Sequence, residues 1–333
     1  MEAAESTQTL ATGDGDLVRV SDLRVRFVTK ETTVYAVNGV DFSLAPGEVL
    51  GILGESGSGK TVTLRALIRL LPEDRAQVSG RVLVGDNDML RLPKGDLQSV
   101  RGRTIAMIFQ EPMTALDPVY TVGYQIAETI VRHESCSWRE AEARALDLFE
   151  QVQVPSPKQR LKSYPHELSG GLRQRAMIAL ALSCRPGVLL ADEPTTALDA
   201  TVQIQILLLL RELQKEMGVI FVTHDMGVAG EIADRLAIMY AGRLVETGPV
   251  TQVMREPLHP YTKGLLSSTV HGSMRGQRLQ TIEGSPPNLE ELPDACSFAP
   301  RCPHVREACR EAVPEPVQAA PERMARCILV NPA

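Results

Sequence analysis

The stretch Gly54-Glu55-Ser56-Gly57-Ser58-Gly59-Lys60-Thr61 leaves this chain few choices of fold. Before it, Glu48-Val49-Leu50-Gly51-Ile52-Leu53 is short and apolar, as a buried strand is. After it, residues 62–71 repeat apolar side chains at helical spacing. A glycine-rich loop between a buried strand and an opening helix is the setting of a phosphate-binding loop. Glycine lets the backbone turn tightly enough to aim several N–H groups at one anion, and the helix N-terminus adds the positive end of its dipole. Lys60 is spaced to reach the β- and γ-phosphates, and Thr61 to offer its hydroxyl to Mg²⁺. The stretch predicts a bound nucleotide.

The 333 residues suggest two domains, or one large domain with an appendage. With 44% hydrophobic and 23% charged residues, the chain has the composition of a soluble protein able to bury a sizeable core. A net charge of −6 without a basic stripe argues against a nucleic-acid partner. No apolar run reaches membrane-spanning length; the best, over residues 204–210, falls inside an amphipathic helix. Residues 1–16 are acidic and polar without a signal pattern and are expected to be a loose tail. A cytoplasmic chain with reduced cysteines follows. Cys136 and Cys184 stand alone and read as inert thiols, whereas Cys296, Cys302, Cys309 and Cys327 crowd into the C-terminal region.

Residues 17–20 and 23–27 alternate apolar and polar side chains, as two half-exposed antiparallel strands would. Residues 37–44 predict another strand before the turn Ala45-Pro46-Gly47, residues 80–85 a short one, and residues 104–109 a buried one ending at Gln110. From 120 to 161 the pattern is helical, with an amphipathic helix over 141–152 that turns Ala145, Leu146, Leu148 and Phe149 inward. A strand over 188–191 ends in Asp192-Glu193; a helix over 201–217 and a buried strand over 219–223 follow. Residues 235–239 and 243–247 predict a hairpin turning through Tyr240-Ala241-Gly242. Apolar strands alternating with helices give an α/β fold with a parallel sheet covered on both faces. The alternating early and late strands are expected to form an antiparallel edge layer, and the helical stretch between Gln110 and Asp192 an inserted subdomain at about 111–186. Beyond residue 257 proline rises and periodicity fades, which marks a separate C-terminal region, 258–333.

A phosphate loop needs an acidic strand end beside it. Asp192 is placed to hold Mg²⁺ through water, and Glu193 to polarise a water for attack on the γ-phosphate. Ser169-Gly170-Gly171, heading the apolar helix over 174–183, offers a second anion site at a helix N-terminus.

In this order, residues 54–61, Gln110, Leu168-Ser169-Gly170-Gly171, Asp192-Glu193, Ala197-Leu198-Asp199 and His224 resemble the ATP-binding subunit of an ABC transporter. The resemblance covers residues 17–257 and implies a P-loop ABC ATPase core that works as a head-to-tail pair. Gly54, Glu55, Ser56, Gly57, Ser58, Gly59, Lys60, Thr61 and Val62 of one chain and Ser169, Gly170 and Gly171 of the other would close on one ATP. It implies further that Gln110 senses Mg²⁺ and the attacking water, that His224 contacts the γ-phosphate and holds Glu193 and water in line, and that Asp199 bridges the subunits. Leu172 stands where many members carry Gln, and Thr196 where Ser is frequent; neither removes a phosphate ligand or the base. Phe27 and Tyr35 are the candidates for stacking on adenine, with the spacing to Gly54 favouring Phe27.

Phe109-Gln110-Glu111-Pro112-Met113, Thr114-Ala115-Leu116-Asp117-Pro118, Tyr164-Pro165-His166-Glu167, His259-Pro260-Tyr261-Thr262, Gly284-Ser285-Pro286-Pro287 and Phe298-Ala299-Pro300-Arg301-Cys302-Pro303 resemble the oligopeptide/dipeptide importer branch. That branch implies two membrane permease subunits, an extracytoplasmic substrate-binding protein, and a second ATPase, more commonly a related chain than an identical copy. It places the chain at the cytoplasmic face of the membrane. Nickel, glutathione or another small solute stays open as cargo, because this subunit does not touch substrate. Soluble ABC ATPases of DNA repair or ribosomes usually show long coiled coils or two fused cassettes, and neither is present. The spacing Cys-x₅-Cys-x₆-Cys-x₁₇-Cys ranks a metal site ahead of four free thiols and disulfides last. The resemblance implies a [4Fe–4S] cluster on Cys296, Cys302, Cys309 and Cys327.

Overall fold

The computed structural model describes residues 15–196, 198–268 and 281–332; the tail expected at 1–16 lies outside them up to residue 14, and so does Ala197. The chain opens with β1 (Val18–Val28) and β2 (Thr33–Leu44). The strands expected over 17–20 and 23–27 are one strand, bulged at Asp22, where φ is 45° and the register against β2 shifts between Val20 and Leu23. The bulge resets the alternation, so Val18, Val20, Leu23 and Val25 all face inward.

β3 (Val49–Leu53) is buried at every position and runs through the glycine loop into α1 (Lys60–Leu67). β4 (Ala76–Val84) and β5 (Asn87–Asp88) complete a four-stranded antiparallel sheet in the order β2-β1-β4-β5. After α2 (Lys94–Arg103), β6 (Ile105–Ile108) returns to the interior.

The span before β7 is helical: α3 (Pro112–Ala115), α4 (Val122–His133), α5 (Trp138–Gln151), α6 (Pro157–Arg160) and α7 (Gly170–Leu182). A reciprocal cap between Ser137 and Glu140 starts α5, which buries Ala141, Ala145 and Phe149 and leaves Leu146 and Leu148 half-buried. Then come β7 (Val188–Asp192), α8 (Ala200–Leu213), β8 (Gly218–Thr223), α9 (Met226–Ile232), β9 (Arg235–Tyr240) and β10 (Arg243–Pro249). The β9–β10 turn holds Ala241 at φ 47° and Gly242 at φ 75°, left-handed at both central residues as a tight hairpin demands.

β9, β3, β8, β7 and β6 form a parallel array within an eight-stranded sheet, order β11-β12-β10-β9-β3-β8-β7-β6. The late hairpin therefore does not share the antiparallel layer of the early strands, as the alternation of its residues suggested. β9 pairs parallel with β3 because Leu236 through Tyr240 are apolar on both faces and need cover on both.

The region beyond residue 257 is stitched onto this sheet. After α10 (Val250–Arg255), α11 (Pro260–Ser267) and α12 (Ala308–Glu311), the chain makes β11 (Val317–Ala320) and β12 (Arg323–Ala325), and β12 pairs with β10 through Glu246 and Ala325. Glu246 is fully buried; it accepts hydrogen bonds from the N–H groups of Leu258 (2.9 Å) and His259 (2.8 Å) and pairs with Arg323 at 3.4 Å. Tyr261 and Phe298 join the main hydrophobic core.

His259 caps α11, its Nδ1 accepting the Tyr261 N–H at 3.0 Å, and burial pushes its pKa down from 6.5 to about 4. The folded chain holds this ring neutral while the unfolded chain protonates it. Stability from this residue is thus complete above pH 6.5 and is lost as pH falls toward 4. Thermal unfolding followed across that window should show the decline, and His259→Asn, which keeps a capping acceptor, should flatten it.

Candidate nucleotide site

The loop between β3 and α1 has no space for side chains where it approaches its neighbours. A Cβ at Gly54 would stand 2.1 Å from the Met239 carbonyl oxygen, and one at Gly59 2.4 Å from that of Ala36. Gly57 and Gly59 hold φ of 78° and 106°, a region that favours glycine. The Gly242 N–H donates to the Ser58 carbonyl at 2.9 Å, so the β9–β10 turn clamps the loop. Lys60 folds back over it, Nζ donating to the carbonyls of Gly54 (2.7 Å) and Glu55 (2.9 Å). Burial lowers the pKa of this amine, against the pull of Glu193, Asp192 and Glu55. Val62 follows on α1, half-buried.

Four consecutive strands of the parallel array, β3, β8, β7 and β6, bring their carboxyl ends to one edge. The phosphate loop leaves β3, His224 follows β8, Asp192 and Glu193 end β7, and Gln110 lies just past β6. Such an edge is where open α/β sheets bind ligands.

Asp192 is fully buried and accepts the Thr61 hydroxyl on Oδ1 at 2.8 Å. Its Oδ2 is buried without a hydrogen-bond partner among the described residues, and burial pushes its pKa up. A hydroxyl beside an orphaned carboxylate oxygen is a hard, anionic donor set, and it fits Mg²⁺.

Glu193 sits in left-handed backbone, φ 45°, which only surrounding contacts sustain. Three side chains grip its carboxylate: Thr196 Oγ1 donates to Oε2 at 2.9 Å, Gln110 Nε2 donates to the same oxygen at 3.3 Å, and His224 Nδ1 lies 3.4 Å from Oε1. Thr196 had entered only as an exchange for serine. Its position three residues past Glu193, in the turn that follows β7, is the signal that could have found it.

Ser169 caps α7, accepting the Leu172 N–H on its hydroxyl. Gly170 and Gly171 lie against Leu198 and Val202; a Cβ at Gly171 would come within 2.9 Å of Val202. Asp199 caps α8 through the N–H groups of Thr201 (3.1 Å) and Val202 (3.0 Å). Both groups thus belong to a second cluster built on α7 and α8. Phe27 is half-buried against the core of the small sheet, whereas Tyr35 is exposed. Phe27 pairs with Val34 and Tyr35 with Arg26, so alternation puts the two rings on opposite faces of that sheet.

Two contacts reach the loop from beyond residue 257, and sequence reasoning did not find them. Tyr261 Oη accepts the Glu55 N–H at 2.9 Å, and Arg301 grips the Glu55 carboxylate with both terminal nitrogens, at 2.7 and 3.0 Å. Both residues lie in motifs that had only marked the family branch.

Cys296, Cys302, Cys309 and Cys327 line one small cavity together with His259, Phe298 and His304. Burial pushes the thiols of Cys296, Cys302 and Cys327 up. Among the described residues, no group of three or more His, Cys, Asp or Glu side chains stands where it could hold a metal ion, so the thiols as placed do not form the ligand set of a cluster. Cys136 and Cys184 are free thiols away from this cavity.

The ABC transporter family matches residues 37–196, and the oligopeptide/dipeptide transporter C-terminal region matches residues 245–309. The oligopeptide transport ATP-binding protein OppD of Salmonella typhimurium is 47% identical over 90% of this chain and 89% of its own length. The dipeptide transport ATP-binding protein DppD of Bacillus subtilis is 46% identical over 90% of each chain. Among solved structures, an ATP-binding cassette captured as a dimer in a post-hydrolysis state with ADP and Pi is similar at 27% identity and a TM-score of 0.63, covering 70% of this chain and 98% of that one. By its cassette, its C-terminal region and these relatives, the chain belongs to the ABC transporter ATP-binding family, in the oligopeptide/dipeptide branch.

Proposed function

We propose that this chain binds and hydrolyses ATP at the edge formed by β3, β8, β7 and β6 to drive peptide uptake through membrane partners. The observation that carries the reading is the held carboxylate: Glu193, gripped by Thr196, Gln110 and His224, stands one residue past an Asp192 that shares its buried carboxylate with Thr61. The loop N–H groups and Lys60 bind the triphosphate. Thr61 and Asp192, joined by Gln110, would hold Mg²⁺, which when bound would supply charge stabilisation at the phosphate oxygens. Glu193 takes a proton from the attacking water as its oxygen bonds to the γ-phosphorus and the bond from that phosphorus to the leaving ADP oxygen breaks, and the three side chains around the carboxylate keep it aimed. Lys60 must release the Gly54 and Glu55 carbonyls to meet phosphate, so its present bonds hold the amine in place in the meantime.

Ser169, Gly170 and Gly171 begin α7 on the second cluster and serve the loop of another ATPase chain, with Asp199 beside them at the junction. That reading agrees with the dimeric form of the similar cassette. Phe27 stacks on adenine, a reading supported by its spacing to the loop. The inserted helices carry motion to two permease subunits. Tyr120, Tyr124 and Trp138 form a stacked, exposed aromatic row on them, with centroids 5.0 and 5.2 Å apart, suited to an apolar partner segment. Among the described residues no helix is long and apolar enough to cross a membrane; in this reading the chain docks on its permease partners at the cytoplasmic face of the membrane, as its likeness to transporter ATP-binding subunits supports. An extracytoplasmic binding protein delivers the peptide in this scheme; the relatives' names give peptide transport for their own systems.

Glu193→Gln keeps the loop contacts and removes the base. It should retain ATP and lower turnover by about 10²-fold or more; single-turnover hydrolysis checks it, and full turnover would remove Glu193 from that role. Thr196→Val, which deletes one of the three groups on the carboxylate, should lower kcat while leaving ATP affinity unchanged in an equilibrium binding assay. Lys60→Ala should weaken ATP binding by at least about tenfold, with ADP less affected; equal affinity in the variant would contradict the assigned contact.

We also propose a metal role for the four cysteines, a reading supported by the one cavity that they line. Anaerobically purified protein should then carry iron and sulfide and absorb broadly near about 400 nm. Protein without iron or sulfide leaves Cys296, Cys302, Cys309 and Cys327 as free thiols or as ligands of zinc, which elemental analysis separates.

A further inference from the structure

Glu55 is an anomaly in a loop that must welcome a triphosphate. A carboxylate among phosphate ligands repels the ligand unless something cancels its charge. In this chain the cancelling group comes from the C-terminal region. Arg301 donates through Nη1 to Glu55 Oε2 at 2.7 Å and through Nη2 to Oε1 at 3.0 Å, a forked pair. Its remaining donors are committed elsewhere: Nε to the Glu283 carbonyl at 3.0 Å, Nη2 also to the Ile282 carbonyl at 3.3 Å, and Nη1 also to Tyr240 Oη at 3.3 Å. The guanidinium lies 5.9 Å over the Tyr240 ring, and the side chain is 4% exposed. So fixed, it cannot swing to a phosphate.

Glu55 is held at three points. Tyr261 takes its N–H, Arg301 its carboxylate and Lys60 its carbonyl. Two of the three come from beyond residue 257. The three branch-specific motifs beyond residue 257 therefore converge on one residue. Tyr261 belongs to the first, Gly284 of the second packs on the Arg301 side chain, where a Cβ would approach Cγ at 3.3 Å, and the third contains Arg301 itself.

We propose that Arg301 is a positioning residue of the ATP site: it neutralises and orients Glu55, so the grip of the phosphate loop on ATP depends on the C-terminal segment. The inference rests on the reading that residues 54–61 cradle the phosphates of ATP.

The test is calorimetric titration of MgATP into the full chain, comparing wild type, R301A, R301K, E55Q and R301A/E55Q, with steady-state ATPase kinetics in the assembled transporter. R301A should raise the Kd for MgATP about tenfold, the weight of a lost charged fork, while kcat at saturating ATP stays within about twofold. R301K, a point charge without the fork, should fall between. In the E55Q background the same R301A change should cost less than about twofold, since no charge remains to be cancelled. A Kd unchanged in R301A overturns the proposal, as does an equal loss in both backgrounds, which would mark Arg301 as a general packing residue. If R301A does not fold, R301K against R301K/E55Q carries the same comparison. A wild-type chain that fails to bind MgATP would instead overturn the reading of residues 54–61, so the two failures are distinct.

Discussion

Everything this protein positions depends on a parallel sheet ending all its central strands at one edge. Parallel strands that are apolar at every residue must be covered on both faces, which leaves their carboxyl ends as the place where polar groups can gather without burying unpaired charge. β3, β8, β7 and β6 lie side by side, so residues far apart in sequence, Lys60, Gln110, Asp192 and His224, reach a common site with no long side-chain excursion. The Thr61–Asp192 hydrogen bond ties the loop after β3 to the end of β7 across the intervening β8. Loss of that sheet order would scatter the chemistry even if every strand formed.

Charge is handled in two ways at this edge. Asp192 is buried with one oxygen satisfied and one without a partner among the described residues, a costly arrangement that suits a cation. Glu193 and Glu55, by contrast, are each held by contacts from several elements. Glu193 is held from β6, β8 and its own turn, and Glu55 from α11 and the segment around Arg301. The region beyond residue 257 therefore contacts the loop after β3 as well as continuing the sheet through β12.

Much of this was legible in the order of residues. The loop with its strand and helix, the acids closing an apolar strand, and the helical span between Gln110 and Asp192 all follow from local periodicity and from the need of an anion for N–H groups. What was hidden is set by long-range pairing. Alternation read residues 17–27 as two strands because a bulge at Asp22 resets the face, and a bulge has no period. The late hairpin looked like an edge layer because periodicity does not say which neighbour a strand takes. Arg301 and Tyr261 were visible only as markers of a branch, since a contact spanning 246 residues leaves no local trace. The cysteine spacing pointed to a metal, and the four thiols do share a cavity, yet not at ligating positions among the described residues.

In the function we propose, the loop after β3 and the acid ending β7 form one magnesium-dependent ATP site. Calorimetric titration of the wild-type chain with ATP, with and without Mg²⁺, tests it most directly, with Thr61→Ala titrated beside it. One ATP should bind per chain, Mg²⁺ should tighten that binding, and Thr61→Ala should lose the tightening. Binding indifferent to Mg²⁺ in the wild type, or no binding at all, would contradict it.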